Sequence, residues 1–215
     1  MNKLDFSNTT LVMIDGTGTS FDENEKIINQ MSKICNFFSI KHFTVSKTNS
    51  NISEIIFLKN NLSYEDYQRF CIFEVNRHIT TDFAFYMQSD GFIINPTLFD
   101  REYFAYDYIG SPWPKKTFSE SQTEHLVGNG GFSLRSKKFL NLCANIPQTN
   151  INEDFLLCVI YKEYFINNGC KFAPAQLAKK FGLEIQMDES HTLNNVFGFH
   201  GKGHLKKAKE MLSIS

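Results

Sequence analysis

The 215-residue sequence has a single tryptophan, five prolines and no Cys-x-x-Cys pair. Its five cysteines, Cys35, Cys71, Cys143, Cys158 and Cys170, are odd in number and lack metal-ligand spacing. That excludes a disulfide framework or a zinc module and predicts free core thiols in a reducing compartment. No stretch approaches the roughly 20 apolar residues that cross a bilayer. The first residues, Met1-Asn2-Lys3-Leu4-Asp5, do not read as a secretory leader. A soluble, cytoplasmic protein is expected. The net charge is -1, so neither nucleic acid nor an anionic membrane is favoured by bulk electrostatics. Two phosphate-binding signatures are also missing. The glycines at 128–131 are not followed by Lys-Ser/Thr, and Asp15-Gly16-Thr17-Gly18 has Phe21 where a dinucleotide fingerprint needs its third glycine.

Aromatic residues are plentiful, with 22 phenylalanines, and the length suits one domain spanning residues 1–215. Leu11-Val12-Met13-Ile14 reads as a buried strand ending at Asp15. Ser20 and Glu23 have the spacing of a capping box. The helix after them places Ile27, Ile28, Met31, Ile34, Cys35 and Phe38 on one face. Short strands are expected at 42–46 and 54–58, and a helix capped by Ser63 carries Tyr67, Phe70, Cys71 and Val75. Phe83 to Met87 is a further strand. This alternation predicts an α/β fold whose mostly parallel sheet is flanked by helices. Ligands in such sheets bind beyond the carboxyl ends of the strands, where Asp15 and Asp90 fall.

The second half is less regular. Residues 115–126 are polar and read as a mobile loop. A strand is expected over 131–135, then helices at 136–145, from Glu153 to the Asn168-Gly169 stop, and from Pro174 through Phe181.

Four short polar motifs interrupt this apolar background. Gln88-Ser89-Asp90 follows a strand and offers a carboxylate for a cation, or a simple Asp-Gly turn. Val127-Gly128-Asn129-Gly130-Gly131 permits close backbone approach, or forms a tight hairpin. Asn152-Glu153-Asp154 places two acids in the first turn of a helix. They stabilise it through the macrodipole and supply a candidate base. Phe197-Gly198-Phe199-His200-Gly201 presents a histidine that is a structural residue or a metal ligand, followed by Lys202. His191 and His204 are weaker candidates.

In this order the motifs resemble the hallmarks of GT-A glycosyltransferases, a Rossmann-like fold. Gln88-Ser89-Asp90 resembles the Asp-x-Asp motif, residues 127–131 the glycine-rich loop, Glu153-Asp154 the x-Glu-Asp motif and His200 the C-terminal metal histidine. The chain is more similar still to a family of bacterial and viral glycosyltransferase-like domains of unknown function. That resemblance rests on residues 88–96 and 106–114, VGNGGFSLRS at 127–136, Glu153-Asp154, Phe172-Ala173-Pro174 and FGFHG at 197–201. It spans roughly residues 9–202.

The resemblance implies a nucleotide-sugar donor bound by Asp15, Gln88, Asp90, Gly130, Gly131 and Lys202. It implies Mn²⁺ or Mg²⁺ on Asp90 and His200. Asp154 would be the base of an inverting transfer, with Glu153 on the acceptor hydroxyl. Trp113, Tyr108 and Asn129 would contact the acceptor, which could be a glycan, a protein, a small molecule or modified DNA. One departure bears on the cofactor: Gln88 and Ser89 stand where the pattern has an acid and an aromatic residue. A non-catalytic nucleotide- or sugar-binding module on the same fold, or a partner-binding protein with a vestigial site, is the alternative.

Overall fold

The computed structural model describes residues 3–214. The first half contains strands β1 (Leu4–Asp15), β2 (Cys35–Thr44), β3 (Glu54–Phe57) and β4 (Phe83–Met87), with helices α1 (Phe21–Ile34) and α2 (Tyr64–Arg69). The second half adds the short strands β5 (Tyr108–Ile109), β6 (Pro112–Trp113) and β7 (Leu126–Val127), then β8 (Ser133–Ser136) and helix α3 (Lys137–Cys143). Helices α4 (Glu153–Phe155), α5 (Lys162–Asn167) and α6 (Ala175–Phe181) follow, then β9 (Gly182–Leu183), β10 (Gly198–Phe199) and α7 (Lys202–Leu212).

Six strands form one sheet in the order β3-β2-β1-β4-β8-β5. The first four are mutually parallel, and β8 runs antiparallel to both β4 and β5. Strand β1 alternates its side chains between two cores. Leu11 and Met13 point into one, and Val12 into the other. On β4, Phe85 and Met87 share the first core, and Ala84 and Tyr86 the second. Both faces are therefore dry, as a parallel sheet covered on both sides requires. Phe132 sits 5.0 Å from Phe85 and 4.9 Å from Phe181, ring centre to ring centre. Each such ring contributes roughly 1.5–3 kcal/mol through burial.

Three local features differ from the sequence reading. Helix α1 ends at Ile34, and Cys35 already begins β2, which pairs Leu4 with Cys35 and continues to Thr44. Phe38 is therefore a strand residue and is 66% exposed. The apolar spacing of residues 34, 35 and 38 fits either element, and pairing with the long β1 decides it. Ser20 occupies the position before α1, but its hydroxyl makes no capping bond. The Asp15 carboxylate takes over the loop instead, accepting the Gly18 N–H at 2.9 Å and the Ser20 N–H at 3.2 Å. Ser63, in contrast, accepts the Asp66 N–H at 3.1 Å as expected.

Two helices widen into π turns. Residues Phe70–Glu74 continue α2, and Leu156–Ile160 continue α4. Residues 115–126 are tethered by Phe118, whose ring lies 4.9 Å from Trp113 and 4.9 Å from Phe155. All five cysteines are free and buried. Among the described residues no helix is long and apolar enough to cross a membrane.

Candidate active site

The parallel strands place their carboxyl ends together. Register pairs Met13 with Met87, so the chain leaves β1 at Asp15 and β4 at Gln88 side by side. Antiparallel β8 starts at the same edge, with Ser133 opposite Tyr86, which brings the glycine segment there as well. A cleft of about 430 Å³ lies at this edge. Asp15, Gln88, Gly130, Gly131, Asp154 and His200 all line it, although they span most of the chain.

Gln88 to Gly91 is a tight turn. The Gln88 N–H donates to the Gly91 carbonyl at 3.0 Å, and the Gly91 N–H donates back at 2.9 Å. The turn reading of this motif is therefore realised, and it directs its side chains at His200. The Gly201 N–H donates to the Asp90 carbonyl at 2.8 Å, which docks the histidine segment on the turn. The Gln88 amide nitrogen donates to the Tyr67 hydroxyl at 2.7 Å, so its oxygen faces His200 Nε2 at 3.1 Å. Asp90 Oδ1 is 3.8 Å from the same nitrogen. On the far side of the ring, Nδ1 is 3.2 Å from Glu184 Oε1 and 3.2 Å from the Asn129 amide nitrogen. Burial pulls the imidazole pKa down, but the Glu184 carboxylate, helped by Asp90 and Asp154, outweighs it and holds the pKa above its ordinary value. Burial likewise pushes the Glu184 carboxyl up, while His200 and the Trp113 N–H, donated at 2.8 Å, bring it below the usual range.

Octahedral ligands at about 2.0–2.1 Å from a divalent cation stand near 3 Å from one another. Gln88 Oε1 is 3.1 Å and Asp90 Oδ1 3.8 Å from His200 Nε2. Among the described residues no three His, Cys, Asp or Glu side chains make a metal-holding group, so a cation here would need the neutral amide oxygen of Gln88 as a donor.

The glycine segment works through close approach. Asn129 adopts the left-handed region at φ +69°, and its side-chain oxygen accepts the Phe132 N–H at 3.1 Å. A Cβ on Gly131 would collide with the His200 ring, and one on Gly128 with the Trp113 indole.

Asp154 is partly buried at the start of α4. Its carboxylate accepts the Phe155 N–H at 2.8 Å and the Gly130 N–H at 3.4 Å. Burial, then the nearby Glu184 charge, raises its pKa above the usual aspartate value despite those two donors. Glu153 is different. It is buried and ion-paired with Arg135, which also donates to the Gly130 carbonyl at 3.1 Å and Ser133 Oγ at 3.0 Å. The Arg135 guanidinium stacks 3.8 Å from the Tyr86 ring centre. Burial pushes the Glu153 carboxyl up and Arg135 pulls it back. The guanidinium stays charged at any ordinary pH, which sets a permanent positive charge beside the Glu153 carboxyl group.

Several expected contacts are redirected. Glu153 lines the cleft with its Oε1 paired to Arg135. Tyr108 and Trp113 are core rings that do not line the cleft, and the Tyr108 hydroxyl donates to the Asn129 carbonyl at 3.0 Å. Asn129 is fully buried and shapes the glycine segment. Asp15 reaches the cleft with its carboxylate already accepting two loop N–H groups. Lys202 is exposed on α7 and does not line the cleft. His191 and His204 bond the carbonyls of Gly182 and Glu184. Two residues escape the sequence reading. Arg135 shows in the sequence only as the one charge in the short strand Ser133-Leu134-Arg135-Ser136. Glu184 carries no local signal.

Residues 47–200, well over half the chain, match the family model described as Protein of unknown function (DUF5672). The chain belongs to the DUF5672 family. No curated protein matches the sequence. The fold of this DUF5672 member is similar to that of a glycosyltransferase involved in the glycosylation of the major capsid of PBCV-1. That match has a TM-score of 0.53 at 10% identity and covers 95% of this chain and 98% of that one. A galactosyltransferase, LgtC, in complex with donor and acceptor sugar analogues, is similar at a TM-score of 0.54 and 11% identity. It covers 95% of each chain. At such identity the likeness shows the fold: a mixed α/β, GT-A-like glycosyltransferase architecture.

Proposed function

We propose that this DUF5672 chain is an inverting glycosyltransferase that moves a sugar from a nucleotide-sugar donor to an acceptor hydroxyl. The observation that carries the reading is the meeting of Gln88, Gly130, Asp154 and His200 in one cleft at the carboxyl edge of the parallel strands. In this reading Asp154 takes the proton of the acceptor hydroxyl, and its raised pKa makes it a stronger base. The oxygen then bonds to the anomeric carbon from the face opposite the diphosphate. The carbon–oxygen bond to the diphosphate breaks, and its electron pair leaves with the nucleoside diphosphate. Gln88, Asp90 and His200 would hold Mn²⁺ or Mg²⁺, and a bound cation supplies positive charge to the departing phosphate. Arg135 and Glu153 hold the Gly130 carbonyl and the first turn of α4 in register beneath this chemistry.

Incubation with a panel of nucleotide sugars, with release of nucleoside diphosphate as readout, tests the reading. Turnover is expected for one donor class, whereas binding without hydrolysis or transfer would favour a non-catalytic module. Metal use is tested by thermal shift. Mn²⁺ is expected to raise the melting temperature further in the presence of donor, and EDTA to abolish that increment. Gln88→Ala, Asp90→Ala and His200→Ala should each reduce it. Equal donor binding in Mn²⁺ and EDTA would remove the cation from the site.

The segment 115–126 leans on Phe155, next to the base, through Phe118. Donor binding is expected to draw it over the cleft and exclude water. Protease cleavage within 115–126 should then slow on adding donor to the wild type, with Asp90→Ala as the unprotected control. Equal cleavage with saturating donor would make the segment a passive connection.

A further inference from the structure

A second cleft, of about 730 Å³, lies apart from the first and shares none of its lining residues. Lys115, Lys162, Lys171 and His125 line it, against a single acid, Glu124. None of the three lysines takes part in an ion pair among the described residues. Lys115 and Lys171 are exposed, and the Lys162 ammonium stands 5.8 Å from the Phe172 ring centre. The floor is apolar, with Val127, Ile166, Phe172 and Pro174. Converging positive charge over an apolar floor is not needed for folding, since like charges repel.

The groove is also physically tied to the candidate active site. Lys115 opens the 115–126 segment and Glu124 and His125 close it, while Phe118 in its middle packs on Phe155, the neighbour of Asp154. Val127 in the groove and Gly130 in the cleft are three positions apart, at most about 11 Å of chain. The groove and the cleft are therefore bordered by neighbouring stretches of one chain segment, 124–131.

We propose that this groove binds an anionic saccharide chain, the extended part of the acceptor, through Lys115, Lys162 and Lys171. The proposal rests on the glycosyltransferase reading for its acceptor role, though not for the binding itself. Saccharide is favoured over nucleic acid because, on that reading, the groove holds the extension of the acceptor whose hydroxyl faces Asp154; the net charge of -1 favours neither polyanion in bulk.

Direct titration tests it, using a sulfated oligosaccharide, a neutral dextran oligosaccharide of equal length and single-stranded DNA. The wild type and the triple variant Lys115→Glu, Lys162→Glu, Lys171→Glu are compared, none of the three side chains being buried. The sulfated chain is expected to bind the wild type, to weaken as salt rises, and to bind the triple variant at least ten-fold more weakly. Equal binding of the neutral chain, tighter binding of DNA, or undiminished binding by the triple variant would each overturn the proposal. Donor binding is followed separately by thermal shift in both proteins. Its absence in both would count against the glycosyltransferase reading and leave the groove result standing.

Discussion

Asp154→Asn is expected to lower turnover by roughly 10²–10⁴-fold, the usual effect of losing a positioned base, while donor affinity stays near wild type. The substitution keeps the shape, and an amide oxygen can still accept the Phe155 N–H. Stability should not fall. A carboxyl whose folded pKa is raised binds its proton more tightly folded than unfolded. The folded state therefore loses stability as pH rises from the unfolded pKa through the folded one. The amide of the variant has no such titration, so its melting temperature at neutral pH should equal or exceed that of the wild type. The pH profile follows the same sign. Wild-type turnover is expected to fall as pH drops through the raised Asp154 pKa, so the acid limb should lie above the ordinary aspartate value near 3.9. Undiminished turnover in the variant, or an acid limb at or below that value, would remove Asp154 from the role.

Arg135→Ala should be the most destabilising single change near the site. It strands the Glu153 carboxyl group in the core, removes the donor to the Ser133 hydroxyl oxygen and leaves the Gly130 carbonyl with the Ser133 hydroxyl alone. Breaking one side of a buried pair typically costs about 3–5 kcal/mol. For a chain of this size that is a fall of about 6–20 °C in melting temperature. The double variant Arg135→Met, Glu153→Leu should recover much of the loss, because no charge is left buried. It should not recover turnover, since the glycine segment and α4 lose the link that sets their spacing. A single-variant cost below about 1 kcal/mol would show that the pair is not structurally important, and full turnover in the double variant would show that it does not position the site.

Sequence and structure meet most instructively at individual residues. The family resemblance pairs Asp90 with His200, and the structure brings them to 3.8 Å. Gln88 reads as a defect in an acidic motif. Only the Tyr67 hydroxyl, which takes its amide nitrogen, reveals that its oxygen faces His200. Glu153 and Asp154 are adjacent and chemically alike, and helix position alone does not separate them. Both line the cleft, and Arg135, 18 residues away, pairs with Glu153 and leaves Asp154 without a cationic partner in hydrogen-bond reach. Residue type leaves Trp113 and Tyr108 open to a sugar-contact role, and burial assigns both to the core. The helix-to-strand boundary at Cys35 escapes a linear reading for the same reason, since the pairing partner lies 31 residues earlier at Leu4.

The sequence by itself determined the alternation of strand and helix, the free thiols and the polar breaks at 88–90, 127–131, 152–154 and 200. Those properties follow from local periodicity, glycine content and chain order, which a linear reading carries. Tertiary structure alone decided which carboxylate is paired, which aromatic rings are buried, what Glu184 does to His200 and Asp154, and that lysines from three separate segments border one groove. Each of these depends on the desolvation and electric field produced by residues distant in sequence, and that environment does not exist until the sheet has closed on both of its cores.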